Sequence, residues 1–164
     1  MDVTRVRHRH GSRRPFSRKL QVMAPLPSGS DSWSVLLEAL KRLRASWPQR
    51  GWSWDGRFSC VTSTFNTELE PRARAAIAIA LTTEWTPSTI GQATPVLREL
   101  VEKTGGMRSG QLLYASEAVG RAFTYGLWWP WGDGMATSLR IGVGGPDGRE
   151  DAQARLRDAF GVEA

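Results

Sequence analysis

Histidine is almost absent from this chain, because its two imidazoles, His8 and His10, both lie near the amino terminus. The rest of the sequence therefore has no imidazole for metal ligation or general base catalysis. It also has a single cysteine, Cys60, which can form neither an intramolecular disulfide nor a multi-cysteine zinc site. These absences exclude disulfide scaffolds, the common zinc sites and histidine-dependent catalysis, and they make the cytoplasm the expected compartment.

Long apolar runs are absent as well, since no segment approaches the roughly 18 consecutive apolar residues of a membrane span. Hydrophobic residues make up 40% of the 164 positions and charged residues 23%, which is typical of a globular domain. A chain of this length can bury a sufficient core without disulfides or metals. The composition thus predicts one folded domain with no membrane span.

Cofactor motifs are also missing. The segment RIGVGGPDGREDAQARL has the strand, glycine-rich turn and helix of a phosphate-binding loop. However, Gly142, Gly144 and Gly148 do not have the spacing of the dinucleotide fingerprint, and no lysine follows as in a P-loop. We therefore expect no cofactor and interpret the segment as a strand, a turn and a structural helix.

The formal charge of +6 is concentrated at the amino terminus. From residue 23 onward the chain is neutral, with fifteen basic and fifteen acidic side chains. We therefore divide the sequence into a basic arm with its linker, residues 1–30, and a globular domain, residues 31–164. The arm's cations, which are the candidate nucleic-acid contacts, are Arg5, Arg7, Arg9, Arg13, Arg14, Arg18 and Lys19.

The role of this arm stays open. Translation from Met23 would remove most of it, and a solvated tail is a second interpretation. Clustered arginines can also bind phosphates without any fold, which would make the protein nucleic-acid-associated. The motif SRRPF is similar to a twin-arginine export signal, but no apolar region follows it.

Four helices and several strands are predicted in the domain. A continuous apolar stripe predicts a helix over residues 32–47, and capping signals predict two more helices, starting near Thr67 and Thr94. A hairpin with an Asp55-Gly56 type I′ turn is expected over residues 51–65, with Trp52, Trp54, Phe58 and Cys60 on one face, and GQLLYAS predicts a short strand. The fold class is therefore α+β, an antiparallel sheet packed with three to four helices.

A second hairpin is predicted over residues 122–144, around the turn in GLWWPWGDGMATSLRIGVGG. Its odd-numbered residues on both strands, from Phe123 to Trp129 and from Leu139 to Val143, are expected to share one buried face. Trp128 would then lie on the opposite face, either under a covering helix or exposed, and Trp131 in the connection. Trp128, Trp131, Asp133 and Arg140 are the candidate partner-binding residues.

Because catalytic and cofactor motifs are missing, we expect a non-enzymatic domain that binds another protein or a second copy of itself. Immunity proteins, adaptors and assembly subunits of bacterial type have this profile. A nucleic-acid-associated protein that uses the arm is the first alternative. A small enzyme that relies on carboxylates, such as Glu68 with Glu70 or Asp133, is the second.

Overall fold

The computed structural model of the protein describes residues 30–146 and 149–164. The basic arm lies outside the described residues, together with the seven cations assigned to nucleic-acid contact, most of the expected linker, and residues 147–148. The described chain forms one α+β domain, as the sequence predicts, with a six-stranded antiparallel sheet. Within this part of the chain, no helix is both long and apolar enough to cross a membrane.

The four helices occur where the sequence predicts them, although their ends differ. In chain order they are α1 (Ser30–Ser46), α2 (Glu70–Ile77), α3 (Pro95–Lys103) and α4 (Arg149–Phe160). The apolar stripe of α1 is buried from Trp33 to Leu43, and Trp47 is buried directly after the helix. At the end of α3, Gly105 has a φ of 97° and the amide of Gly106 donates to the carbonyl of Val101, which is the left-handed termination expected there.

The six strands lie in the order β1-β2-β6-β5-β4-β3. The two predicted hairpins form the centre and one edge of this sheet, and β4 is the predicted short strand. Strand β3, which contains Trp85, is not among the predicted strands. The strands are β1 (Ser53–Asp55), β2 (Cys60–Asn66), β3 (Thr83–Trp85), β4 (Leu112–Ala115), β5 (Phe123–Pro130) and β6 (Ala136–Gly144).

The first hairpin does not have the predicted two-residue turn. Asp55 pairs with Cys60, so four residues connect the strands, and Ser59 rather than a glycine has the positive φ, 52°. Trp54 consequently pairs with Val61 and packs against the larger core, whereas Phe58 and Cys60 belong to the smaller one. The prediction that these residues share one face is wrong, because a connection with an even number of residues, whether the predicted two or the observed four, pairs even-numbered residues of one strand with odd-numbered residues of the other.

The same error affects the second hairpin. Leu127 pairs with Arg140 and Trp128 with Leu139, so the odd-numbered residues of β5 lie on the same face as the even-numbered residues of β6. The expected single core layer is therefore wrong, and hydrophobic residues cover both faces of these strands. This arrangement requires two cores, one on each side of the sheet.

The larger core lies between the sheet and α1, α2 and α4, and it contains Trp128, Leu139 and Ile141. The smaller core lies on the other face, where Leu97 and Val101 of α3 pack against β4 and β5. Among the described residues, no helix covers the part of this second face that belongs to β1, β2 and β6. We call this part the open face; its side chains are Ser53, Asp55, Thr62, Thr64, Ser138 and Arg140.

Candidate functional site

The tip of the β5–β6 hairpin, residues 131–135, is closed by main-chain hydrogen bonds. The amide of Trp131 donates to the carbonyl of Ala136 at 2.9 Å, and the amide of Gly134 donates to the carbonyl of Trp131 at 3.1 Å. Gly134 has a φ of 68°, a conformation that glycine adopts without strain. The Gly-Asp-Gly sequence therefore forms a tight turn, as its composition indicates.

A second segment fastens this tip from outside the hairpin. Thr67, which follows β2, donates its amide hydrogen to the carbonyl of Met135 at 3.0 Å and its hydroxyl hydrogen to the carbonyl of Gly134 at 2.8 Å. The carboxylate of Asp133 accepts a hydrogen bond from the amide of Met135 at 2.9 Å. Thr67 thus anchors the tip instead of forming the predicted capping box, and α2 begins only at Glu70.

The indole N–H of Trp131 fixes the orientation of the ring, while much of the ring's apolar surface faces solvent. Its indole Nε1 donates to the Ser138 hydroxyl at 2.9 Å, and that hydroxyl also lies 2.9 Å from the hydroxyl of Thr64. The residue remains 53% exposed. Met135, at the other end of the tip, is 71% exposed. We call these two residues the tip patch.

Arg140 lies on the open face, two residues along β6 from Ser138. Its Nε donates to Asp55 Oδ2 at 3.1 Å, and both side chains of this ion pair are only 17% exposed. Its guanidinium lies over the ring of Trp129, 4.6 Å from the ring centroid, and Trp129 in turn meets the ring of Phe58 edge-on. Arg140 is therefore held in place by an ion pair and a ring, at the boundary between the open face and the smaller core.

Trp128 does not belong to this surface. It is 1% exposed and lies in the larger core, with the rings of Phe65 and Tyr114 at centroid distances of 5.2 Å and 6.2 Å. The guanidinium of Arg74 packs over its ring at 4.8 Å. Its assignment as a candidate contact residue is corrected, because a side chain enclosed in this way cannot reach a partner while the protein is folded.

Trp131 and Asp133 thus lie at the tip, whereas Arg140 lies on the open face in the middle of β6, two residues from the Ser138 that Trp131 contacts. The structure adds two residues that the sequence reasoning missed, Met135 and Thr67. A signal for the first was present, since an aspartate side chain often accepts a hydrogen bond from the amide two residues later, which fixes the residue at that position. No signal pointed to Thr67, whose role depends on the contact between two distant segments.

Cys60 is enclosed in the smaller core. Its sulfur contacts the Tyr125 hydroxyl at 3.5 Å and the Phe58 carbonyl at 3.3 Å. Burial raises the pKa of the thiol from 9.0 to about 11. The thiol is therefore neutral near pH 7 and is poorly suited to act as a nucleophile.

We expect Cys60 to react with a thiol-specific disulfide reagent only when the protein opens. The native rate should be at least about a hundredfold below the rate in denaturant, because both the thiolate fraction and the access are reduced. Since the folded pKa is raised, the neutral thiol favours folding below pH 9, and this contribution is lost as the pH rises towards 11. Reaction of native protein at the rate of the unfolded chain would show that the thiol is accessible.

The carboxylates proposed for an enzymatic alternative lie in different environments. Glu70 accepts a hydrogen bond from the Thr137 hydroxyl at 3.4 Å, whereas Glu68 is exposed on the turn before α2. Across residues 30–146 and 149–164, no group of three or more histidine, cysteine, aspartate or glutamate side chains could hold a metal ion.

A different polar cluster borders a groove of about 250 Å³ beside α2 and β3. Arg74 donates to the Tyr114 hydroxyl at 3.0 Å and lies 3.6 Å from Glu84. Burial is the main cause that raises the pKa of Tyr114, and the nearby carboxylates add to it against the opposing effect of Arg74. The phenol stays protonated at physiological pH, so its hydroxyl both accepts and donates hydrogen bonds among these neighbours.

Trp131 and Met135 are two of the five exposed large hydrophobic residues in the part of the chain that the structure describes, and they lie on one turn. We therefore take the tip patch as the candidate site, with Asp133 between its two residues and Arg140 on the adjoining face. Comparison with known proteins adds no relative to this description: no protein-family model matches the chain, and no curated protein or solved structure is significantly similar to it.

Proposed function

We propose that this protein works by binding another protein, as immunity proteins, adaptors and assembly subunits do, with the tip patch as its anchor. The observation that carries this proposal is the half-exposed ring of Trp131, held in one orientation by the Ser138 hydroxyl. Tryptophan is among the residues that most often dominate protein–protein binding energy. An exposed indole also leaves apolar surface in water that a partner can cover.

The hydrogen bonds that hold the tip in one conformation support the same proposal. A loop that becomes ordered only on binding loses conformational entropy, which reduces affinity. Here Thr67, Asp133 and Ser138 already fix the main chain and the indole of the tip. A partner would therefore meet a surface that needs little further ordering.

The remaining aromatic residues of this region favour a protein over a single-stranded nucleic acid. Nucleic-acid platforms need ring faces on which bases can stack, within a positively charged groove. Trp129 has its ring covered by Arg140, whose charge is already paired with Asp55, and Phe58 is covered by Arg57 at 4.5 Å. These rings support the open face and are not available for stacking.

The first test is the substitution Trp131→Ala. We expect it to lower the free energy of unfolding by no more than about 1.5 kcal/mol, because the ring is half exposed and Ser138 keeps its contact with Thr64. Binding to the partner should weaken by about 2 kcal/mol, or about thirtyfold in Kd, as expected for an anchor residue. Denaturant unfolding and titration calorimetry measure the two quantities.

The partner for this titration is obtained by crosslinking. A photoreactive amino acid replaces Met135, which is exposed beside Trp131, and in a matched control it replaces Val35, which is exposed on α1. Each full-length protein is expressed in its native host and irradiated. The protein trapped only at position 135 is identified from the crosslinked product and then produced separately in free form. Val35→Ala then serves as the binding control, since it also removes exposed apolar surface.

Three outcomes contradict the proposal. The first is a crosslinked species that nuclease digestion removes, which would favour the nucleic-acid alternative. The second is a purified partner that binds Trp131→Ala as tightly as the unaltered protein. The third is a loss of stability above about 3 kcal/mol in Trp131→Ala, which would show that the indole supports the core.

A further inference from the structure

The charges around the tip patch are of one sign. The segments 64–70 and 130–138, which meet at the tip, contain Glu68, Glu70 and Asp133 and no lysine or arginine. Strand pairing from Asn66 to Ala136 and the hydrogen bonds of Thr67 to the tip hold these two segments together. This end of the sheet is therefore acidic, although the domain as a whole is balanced in charge.

These carboxylates are not neutralised by neighbouring cations. In residues 30–146 and 149–164, none of the three takes part in an ion pair, and Asp133 and Glu70 accept hydrogen bonds only from an amide and a hydroxyl. The basic side chains closest along the chain are Arg72 on α2 and Arg140 on β6, whose charge is paired with Asp55, and Arg108 lies two residues before the Gly110 that packs near Pro130. Glu68 and Asp133 are exposed and outside these ion pairs, so their charges can act on an approaching molecule.

We propose that the partner presents a basic surface, in which lysine and arginine side chains surround an apolar recess that receives Trp131. This inference rests on the proposed function and specifies the partner's chemistry. Opposite charges around a hydrophobic anchor accelerate association and select the partner. The anchor supplies most of the binding energy, while the carboxylates attract and orient the basic rim.

A second copy of this chain would bind the same surface less favourably than a basic partner. In a symmetric contact between two tips, the carboxylates of one copy would face those of the other, and like charges across an interface are unfavourable. The basic residues 1–22 of this chain have the complementary charge, so an intramolecular contact is the competing outcome that the experiment must distinguish.

The test compares two variants with the same change in net charge, using the full-length protein and the partner recovered by crosslinking at position 135. The tip variant is Glu68→Lys with Asp133→Asn, which keeps an oxygen at position 133 that can accept the Met135 amide. The control variant is Glu102→Lys with Glu117→Gln, at two exposed positions outside the tip. Association and dissociation rates are measured by stopped-flow mixing at 20 and 300 mM salt.

We expect the tip variant to lower the association rate constant about tenfold or more at low salt, and the difference should largely disappear at high salt, because screening shortens the range of the attraction. The control variant should associate within about twofold of the unaltered protein. Circular dichroism and thermal unfolding establish that both variants are folded.

Equal association rates for the tip and control variants, or no salt dependence, would overturn the inference. If Trp131→Ala still weakened binding in that case, the proposed function would stand without a basic partner. A crosslink from position 135 to residues 1–22 of the same chain would also overturn the inference and assign the surface to the arm. Failure to trap any protein at position 135 would contradict both proposals.

Discussion

Trp128→Ala should lower the free energy of unfolding by about 3–5 kcal/mol, the usual cost of removing a fully buried aromatic side chain. The ring is 1% exposed and packs between Phe65 and Tyr114, with Arg74 over its face. Its removal leaves a cavity and takes away the ring over which the Arg74 guanidinium packs. The position is central, since β5 is flanked by β4 and β6.

The matched control is Trp131→Ala, which removes the same side chain three positions later on the same hairpin. Urea unfolding followed by circular dichroism gives both free energies, and the two values should differ by at least about 1.5 kcal/mol. A smaller difference would mean that the two indoles are buried to similar extents in solution. The result tests directly which of the two tryptophans supports the core and which is available to a partner.

The helices could be predicted because each has a local signal. The apolar stripe from Trp33 to Leu43 already specifies one buried face of α1, and a proline at the start and a glycine at the end specify the limits of α3. Helix α2 has no comparable signal at its end and stops at Ile77. The residues after it form a turn and then β3, which has only three residues and depends on its pairing with β4, a contact between distant segments.

The pairing of the hairpin strands could not be predicted in this way. In each hairpin the alternation of apolar residues was recognised, but the face was assigned as if both strands continued one numbering pattern. Trp128 pairs with Leu139 because the residues that join β5 to β6 set an odd offset between the strands. A change of one residue in that offset moves every side chain of one strand to the other face.

The candidate site could be predicted only in part, because the placement of some of its residues depends on strand register and that of others does not. Trp131 and Asp133 belong to the turn, so their exposure does not depend on register, and both lie at the tip. Arg140 was placed on the face opposite Leu139, and strand alternation alone is sufficient for that prediction. Trp128 lies under the helices on the face opposite Trp129, which is one of the two alternatives left open for it, so only its assignment as a contact residue is wrong. The support given by Thr67 depends on tertiary contact.

Phe160→Ala should also lower the free energy of unfolding by about 3–5 kcal/mol. Phe160 is the last residue of α4, is 1% exposed, and meets the ring of Trp52 at a centroid distance of 4.5 Å. It therefore joins the carboxyl-terminal helix to the segment that leads into β1. Its loss should weaken the attachment of α4 to the larger core without altering the hairpin tip.

This separation can be measured by amide hydrogen exchange. In Phe160→Ala, protection should fall for α4 and for the segment around Trp52, while the amides of Trp131 and Gly134, which close the tip, should change only with global stability. Glu163→Ala, an exposed substitution three residues further along, is the control and should change stability by less than about 0.5 kcal/mol. Unchanged stability in Phe160→Ala would mean that α4 contributes little to the core, because the ring is the largest side chain that this helix buries completely.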